Sequence, residues 1–315
     1  MRKKHFSEML AQIQELTPKQ LNALIGAAEQ VKNTRTPAVI LDEKFAESLA
    51  CPRCQGQYIR KWGIESGIQR YRCNECRRTF NALTGTPMAR LRKKERWLEY
   101  SEALADGTSL TKAADRCGID RTTAFRWRHR FLTRPKENQP CCSGITEIDE
   151  TYFLESYKGT KMYHRLPRKR GGKSQTRGLS AEQIPVIIVR DRGKHTCDAV
   201  LTDRSARGIR RKIGHYISQE SILCIDKSRA LIKFARKSGV AFETLDNTQR
   251  RGRDKVFHIQ NVNAYHSRLK EWMKRFHGVS TKHLSSYLGW RRLYERSVNS
   301  PAALLQETIF KIRNG

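Results

Sequence analysis

The sequence predicts a multidomain α/β protein, and three observations carry that expectation. Two Cys-x2-Cys pairs stand 18 residues apart, at Cys51/Cys54 and Cys73/Cys76. Apolar residues at helical spacing between Thr108 and Leu132 are broken once, at Gly118. From residue 144 onward, strand-like alternation is interleaved with helical runs. The expected order is a helical N-terminal segment (1–45), a small metal-held ribbon (46–88), a helical hairpin domain (89–138), a mixed-sheet domain (142–300) and a C-terminal helix or tail (301–315).

Charge narrows the function before any motif is assigned. The 315 residues carry 62 Lys+Arg against 31 Asp+Glu, a net charge of +31. Of this, +8 lies in residues 51–100 and +22 in residues 151–315, while residues 101–150 are neutral. Such self-repulsion does nothing for folding, so a polyanionic partner is expected, with binding energy from counterions released by nucleic-acid phosphates. The longest uncharged apolar run, Ile184 to Val189, is far below the roughly 20 residues that span a bilayer, so no membrane-spanning protein is expected. Glu8 and Glu15 interrupt what would be the apolar core of a signal peptide. The expected location is the cytoplasm, on the nucleoid.

The N-terminal segment SEMLAQIQELTPKQLNALIGAAEQV reads as one or two amphipathic helices with a break at Thr17-Pro18, suited to packing or self-association. The cysteine pairs match a tetrahedral zinc site: two tight turns placed face to face offer four thiolates to one ion. The segments between and after them alternate apolar residues with Arg and Lys, as short ribbon strands do. Arg53, Arg60, Lys61, Arg70, Arg72, Arg77 and Arg78 line this ribbon for phosphate contact, with protein docking as the alternative. The other five cysteines have no such partners, and an odd count with a zinc-type pattern fits a reducing compartment.

Residues 108–132 read as a helix-turn-helix. Leu110, Ala113 and Ala114 form the first apolar face, Gly118 makes the turn, Ile119 plugs the angle, and Asp120 caps a second helix rich in arginine (Arg121, Arg126, Arg128, Arg130). The N-terminal residues of a recognition helix reach base edges, so Arg121, Thr122, Thr123 and Arg126 are the candidate DNA-reading side chains. A ribbon followed by this motif favours duplex DNA over RNA.

In the last domain the expected order is three strands, a helix, a fourth strand ending at Asp226, and a helix from Ser228 to about Ser238. The segment Lys158 to Gly178 is basic and Gly-rich, a DNA-facing excursion. A carboxylate inside an apolar strand is costly to desolvate without a partner or a task. Asp149 in the first strand and Asp226 at the end of the fourth can converge on one metal site; Glu150, Asp191, Asp198 and Asp203 are rival carboxylates. His258, His266, His277 and His283 are spaced for packing or phosphate contact, and Trp272, Tyr287 and Trp290 for a core.

EIDETYF (147–153), LCIDKS (223–228) and the block from His258 containing GVSTKHLSSYLGW (278–290) resemble the ISXO-like branch of bacterial DDE insertion-sequence transposases over about residues 46–300. The resemblance implies an RNase H-like catalytic domain, with Asp149 and Asp226 as the two metal-binding aspartates. It implies Mg-dependent (or Mn-dependent) cleavage and transfer of DNA strands, on terminal inverted repeats and a target, by a homo-oligomer on DNA. The third position, Glu in most DDE enzymes, falls on Asn263, with Lys270 seven residues later. Such ions prefer hard oxygens, and two of them can activate the attacking oxygen and stabilise the leaving one. Asp149 is then expected to bridge both ions, Asp226 to hold one, and Asn263 to offer only a neutral carbonyl oxygen. Seven residues are about two helical turns, so Lys270 shares a face with Asn263 and can hold a phosphate or steady transition-state charge. Asn261 can exchange roles with Asn263, whereas Glu271 points to a different face. The rival expectation is a zinc-ribbon and helix-turn-helix DNA-binding regulator, a domesticated transposase without catalysis.

Overall fold

The computed structural model describes residues 10–34, 36–160, 174, 180, 182–245, 256–296 and 301–309. Most of the Lys158 to Gly178 excursion lies outside them. The chain divides into two compact units, Met1–Gly85 with Arg90–Leu98, and Thr86–Ala89 with Glu99–Gly315. No helix of the described residues is long and apolar enough to cross a membrane.

In the first unit Leu16 is extended and helix α1 (Pro18–Thr34) begins at the expected break. A second helix, α2 (Pro37–Ala46), carries proline in its first turn, where a missing N–H costs nothing. Three antiparallel strands follow, β1 (Ile59–Glu65), β2 (Ile68–Cys73) and β3 (Thr79–Asn81), in that order across the sheet. Their small core is Cys51, Tyr71, Cys73 and Phe80. Phe45 of α2 packs on it, 5.8 Å from Tyr71 and 6.1 Å from Phe80 between ring centres. Asp42 of the same helix accepts a hydrogen bond from the Gln69 N–H at 2.8 Å. The ribbon thus recruits part of the N-terminal segment as a lid for a core too small to stand by apolar burial alone. On α1, Leu21, Leu24 and Ile25 stay exposed.

Four helices come next, α3 (Trp97–Ala105), α4 (Leu110–Arg116), α5 (Arg121–Phe131) and α6 (Thr133–Glu137), all in the second unit apart from Trp97 and Leu98 at the start of α3. Ser109 caps α4 and Asp120 caps α5, its carboxylate accepting from the Thr122 N–H at 2.7 Å. Gly118 turns the chain with φ +57°, a conformation that suits glycine. Ala113, Ala114, Ile119, Ala124, Trp127 and Phe131 are buried between the helices.

A five-stranded sheet follows, in the order β6-β5-β4-β7-β8. Its strands are β4 (Ile145–Leu154), β5 (Gln183–Asp191), β6 (Thr196–Val200), β7 (Ile222–Asp226) and β8 (Ala241–Leu245). Pairing is antiparallel across β6-β5-β4 and parallel across β4-β7-β8, the mixed sheet expected of an RNase H-like domain. Strand β8 was not anticipated: AFETL is short and mostly exposed, so no apolar run marks it. One face buries Ile148, Ile187, Val189, Leu223 and Ile225 against Ile209 and Ile213 of α7 (Ala206–Ile213) and Leu231 and Phe234 of α8 (Arg229–Ser238). Because side chains alternate along a strand, Glu147, Asp149 and Thr151 lie on the other face. There α9 (Gln260–Lys274) packs on β4, and α10 (Leu284–Glu295) packs on β6. A last helix, α11 (Pro301–Ile309), packs on α6.

Helix α10 fastens the sheet domain to the helix-turn-helix. A Cβ on Gly289 would stand 2.6 Å from the Lys136 backbone, so only glycine permits this approach. The Trp290 indole N–H donates to the Leu104 carbonyl at 3.0 Å, and Arg292 donates to the carbonyls of Pro135 and Lys136. Arg292 is also ion-paired with Asp198, both fully buried. Arg128 belongs to this joint rather than to the basic face of α5. It is buried, donates to the Thr108 carbonyl at 2.9 Å and stacks over Trp290.

His129 and His283 stack across the same joint with ring centres 3.8 Å apart. Burial, then the charges of His283, Arg128 and Lys282, hold His129 down at about 4. Its folded value lies below the unfolded value near 6.5, so the unfolded chain binds the extra proton between those limits. Stability is therefore full above about pH 6.5 and falls as the pH drops towards 4. Allowing for partial exposure, the loss from this group is about 2 kcal/mol. Urea unfolding at pH 7 and pH 4.5 is expected to show that the decline is shallower in His129→Phe than in the natural chain.

Candidate active site

Asp149 and Asp226 stand side by side on adjacent parallel strands. The last matched pair of that ladder is Ile148 with Ile225, and each aspartate is the next residue. Asp149 accepts the Glu150 N–H at 2.8 Å; the Asp226 carboxylate has no hydrogen-bond partner among the described residues. Burial pushes Asp149 up to about 6 against the pull of the Glu150 N–H; the negative charges of Asp226 and Glu150 add to the rise, and Lys270 opposes it. Two partly buried hard-oxygen donors on adjacent strands, of which Asp149 is raised by burial and by the neighbouring carboxylates, are a donor set that a divalent cation fits.

Helix α9 lies over this pair. Lys270 is close enough to act electrostatically on Asp149, and the His266 Nδ1 is 3.8 Å from the Asp149 Oδ2. The His266 ring is buried, its Nε2 has no partner among the described residues, and desolvation followed by the Lys270 charge lowers it to about 4. It is therefore a neutral imidazole at physiological pH. Asn263, His266 and Lys270 follow at i, i+3 and i+7, so they share one stripe of the helix. Asn263 and Lys270 are exposed.

The buried Glu147 sets the position of α9. One carboxylate oxygen accepts from Arg192 at 2.6 Å and from the Asn261 amide at 2.9 Å, and the other accepts the Val262 N–H at 2.8 Å. His258 lies 3.3 Å from the same group. A carboxylate at the first turn also complements the positive end of a helix dipole. Asn261 is thereby committed to Glu147 and leaves Asn263 as the asparagine open to solvent. Glu147 is not marked as a site residue by the sequence, and His266 is marked there only for packing or phosphate contact. The available signal was strand parity, which puts Glu147 on the face of Asp149.

The rival carboxylates have structural partners. Asp191 accepts from the N–H groups of Ser143 and His195 and from the His195 ring; Asp198 pairs with Arg292. Asp203 accepts from Ser205 at the start of α7, and Glu150 accepts from Tyr152 and Arg204. Glu271 pairs with Lys274 at the surface.

In the first unit the four sulfurs of Cys51, Cys54, Cys73 and Cys76 lie within 4.8 Å of one another, the one such cluster of metal donors among the described residues. Cys51 and Cys76 are 3.7 Å apart, and Cys54 and Cys73 are 3.6 Å apart. A tetrahedron with arms of about 2.3 Å has edges of about 3.8 Å, so this set can hold a zinc ion. Both turns close alike: Gln55 after Cys54 has φ +62°, and Arg77 after Cys76 has φ +57°.

On α5, Arg121, Thr122 and Arg126 are exposed at the start of the helix and Thr123 is half-buried. Phe125 is 39% exposed and borders His129 and His283.

Residues 142–291 match the family model of the ISXO2-like transposase domain, and residues 89–138 match that of the homeodomain-like domain. A Halobacterium salinarum protein described as an uncharacterized protein in transposable element ISH50 is 24% identical over 298 residues, covering 89% of this chain and 97% of its own length. That relative is archaeal, so the likeness reaches beyond bacteria. Among solved structures, the Mos1 mariner paired end complex with Mn is 14% identical and a pre-cleavage Mos1 transpososome 13%. Each alignment covers 67% of this chain and 78% of the other, at a TM-score of 0.20, too low to bear on the fold. The aspartate pair falls inside one matched segment and the arginine-rich helix inside the other, so residues 142–291 correspond to an ISXO2-like transposase domain and residues 89–138 to a homeodomain-like one.

Proposed function

We propose that this chain binds the terminal inverted repeats of an insertion sequence and catalyses metal-dependent cleavage and transfer of DNA strands. The observation that carries the reading is the Asp149–Asp226 pair on adjacent parallel strands beneath the Asn263–Lys270 face of α9. Bound Mg or Mn ions supply Lewis-acid activation of the attacking oxygen and neutralise charge on the leaving one. Asp149 and Asp226 would hold these ions. Asn263 offers a carbonyl oxygen without charge, which makes its side of the centre the weaker. Lys270 steadies the phosphate that is being displaced. Arg121, Thr122, Thr123 and Arg126 read base edges in the major groove, and the ribbon arginines hold phosphates. Two ends must meet in one reaction, so the working form is a homo-oligomer on DNA. End-labelled element DNA incubated with the protein and Mg is expected to be nicked at the repeat end and joined to target DNA. Binding with no strand cleavage in Mg or Mn would instead establish the regulator.

Cys51, Cys54, Cys73 and Cys76 hold a structural zinc in this reading. The purified chain is then expected to contain stoichiometric zinc, lost in Cys73→Ser. A strong chelator unfolds the ribbon, because the metal-binding free energy of such a module, on the order of 10 kcal/mol, is also its folding energy. DNA affinity falls with it, and backbone NMR of the β1–β3 amides checks the unfolding directly.

A further inference from the structure

Beside the catalytic pair lies a cavity of about 670 Å³ of whose lining the proposed chemistry uses only Lys270. One wall is the end of β4 and the residues after it, including Phe153 and Tyr157; the other is the end of α9 with Lys270, Met273 and Lys274, closed by Val279 and Leu284. Its lining is mostly apolar and also includes Lys158, Lys270 and Lys274. Phe153 sits four residues beyond Asp149 on the same face of β4, about 13 Å along the strand. Lys270 belongs to both places, since it acts on Asp149 and lines the cavity. Among the described residues it makes no hydrogen bond or ion pair, whereas the Lys158 ammonium is taken by the carbonyls of Phe276, His277 and Gly278 at 2.9–3.0 Å. Lys158 therefore builds the floor by tying down the end of α9, and Lys270 is left to face a ligand.

Resting on the catalytic reading above, we propose that this cavity receives one unstacked nucleotide of the DNA strand being processed, its base against Phe153 and Tyr157 and its phosphate on Lys270. A nucleotide has the two chemistries the cavity offers, an apolar face and an anionic edge. Cavities of this size suit a ligand of that class. Extrusion of a base costs only a few kcal/mol, which stacking on aromatic rings offsets. Stacked DNA advances about 3.4 Å per step, so the extruded nucleotide lies within about four steps of the scissile phosphate.

The test uses the full chain and element-end duplexes in Ca²⁺, with 2-aminopurine placed in turn at each of the four positions on either side of the cleavage site. Fluorescence is expected to rise several-fold at one position on binding. The affinity of Phe153→Leu and of Tyr157→Ala for the normal duplex is expected to fall about tenfold, and that deficit is expected to vanish on a duplex lacking the base at that position. No rise at any position overturns the proposal. So does a deficit in both variants that persists on the abasic duplex, or the absence of any deficit. A variant that fails to fold shows equal loss on both duplexes and is read against the other variant and the fluorescence of the natural chain. Catalysis is scored separately: if Asp149→Asn cuts DNA as the natural chain does, the catalytic reading fails while these binding measurements still judge the cavity.

Discussion

Asp149→Asn and Asp226→Asn each lose Mg-dependent strand cleavage by about 10³-fold or more while binding element-end DNA as the natural chain does. Loss of a single group that stabilises charge in a transition state commonly acts on that scale. Asparagine preserves shape, so the sheet is undisturbed; what disappears is one negative charge at the place where Asp149 and Asp226 stand together. Burial makes the comparison informative. Asp149 is held up at about 6 by desolvation and then by the neighbouring carboxylates. Removing either charge therefore relieves strain in the apoprotein, and thermal stability stays level or rises slightly as activity is lost. Asp198→Asn provides the contrast. Its carboxylate is fully buried against Arg292, so this variant loses stability, because a buried charge is left without its partner. Cleavage by the Asp198→Asn protein that remains folded stays near normal. End-labelled cleavage assays, filter binding and melting curves on the three variants separate the two kinds of aspartate. Full cleavage by either Asp149→Asn or Asp226→Asn would remove the catalytic assignment.

What could be read from the residues was whatever carries a fixed spacing. The two Cys-x2-Cys pairs and the Gly118 turn with its Asp120 cap are local, and each has a counterpart in the structure; Asn263 and Lys270, which the resemblance singles out, lie seven residues apart on one helix. The juxtaposition of Asp149 with Asp226 is not local. It depends on β4 lying beside β7 although β5 and β6 come between them in the chain; the strand pattern offers this pair among rival carboxylates, and the family resemblance selects it. Strand β8 went unseen because its exposed residues do not alternate in hydrophobicity. Arg128 reads in the sequence as one of several arginines on the second helix, yet it turns inward to Thr108 and Trp290. His266 was one of several scattered histidines; only the packing of α9 on β4 brings it to Asp149. In each case the missing information was tertiary: which element covers which face.

Glu147 is the position where that tertiary information has the largest consequence. Its side chain is fully buried, yet it meets a guanidinium, an imidazole, an amide and a backbone N–H, all from outside its own strand. Three of those groups, from His258, Asn261 and Val262, belong to the first turn of α9 or the residues just before it. Glu147→Ala leaves Arg192 and the helix end without their acceptor. It is expected to cost about 3 kcal/mol, the low end for breaking a buried pair, because Arg192 is itself partly exposed. Glu147→Gln is the sharper experiment. The amide keeps one acceptor oxygen and nearly the same volume, so the fold survives. One of the oxygens becomes a donor facing donors, and the start of α9 loosens over Asp149. Since Asn263, His266 and Lys270 ride on that helix, cleavage falls about 10- to 100-fold, the scale for loss of a group that orients metal ligands. DNA affinity, which the helix-turn-helix and ribbon govern in the proposed function, is unchanged. Hydrogen exchange distinguishes this from general destabilisation: the Val262 amide exchanges faster in Glu147→Gln, while the amides of Ile187 and Val189 in the sheet core keep their protection. If protection is lost evenly across the domain, Glu147 is a stability residue only; if Val262 is unaffected and cleavage is normal, the carboxylate does not position α9.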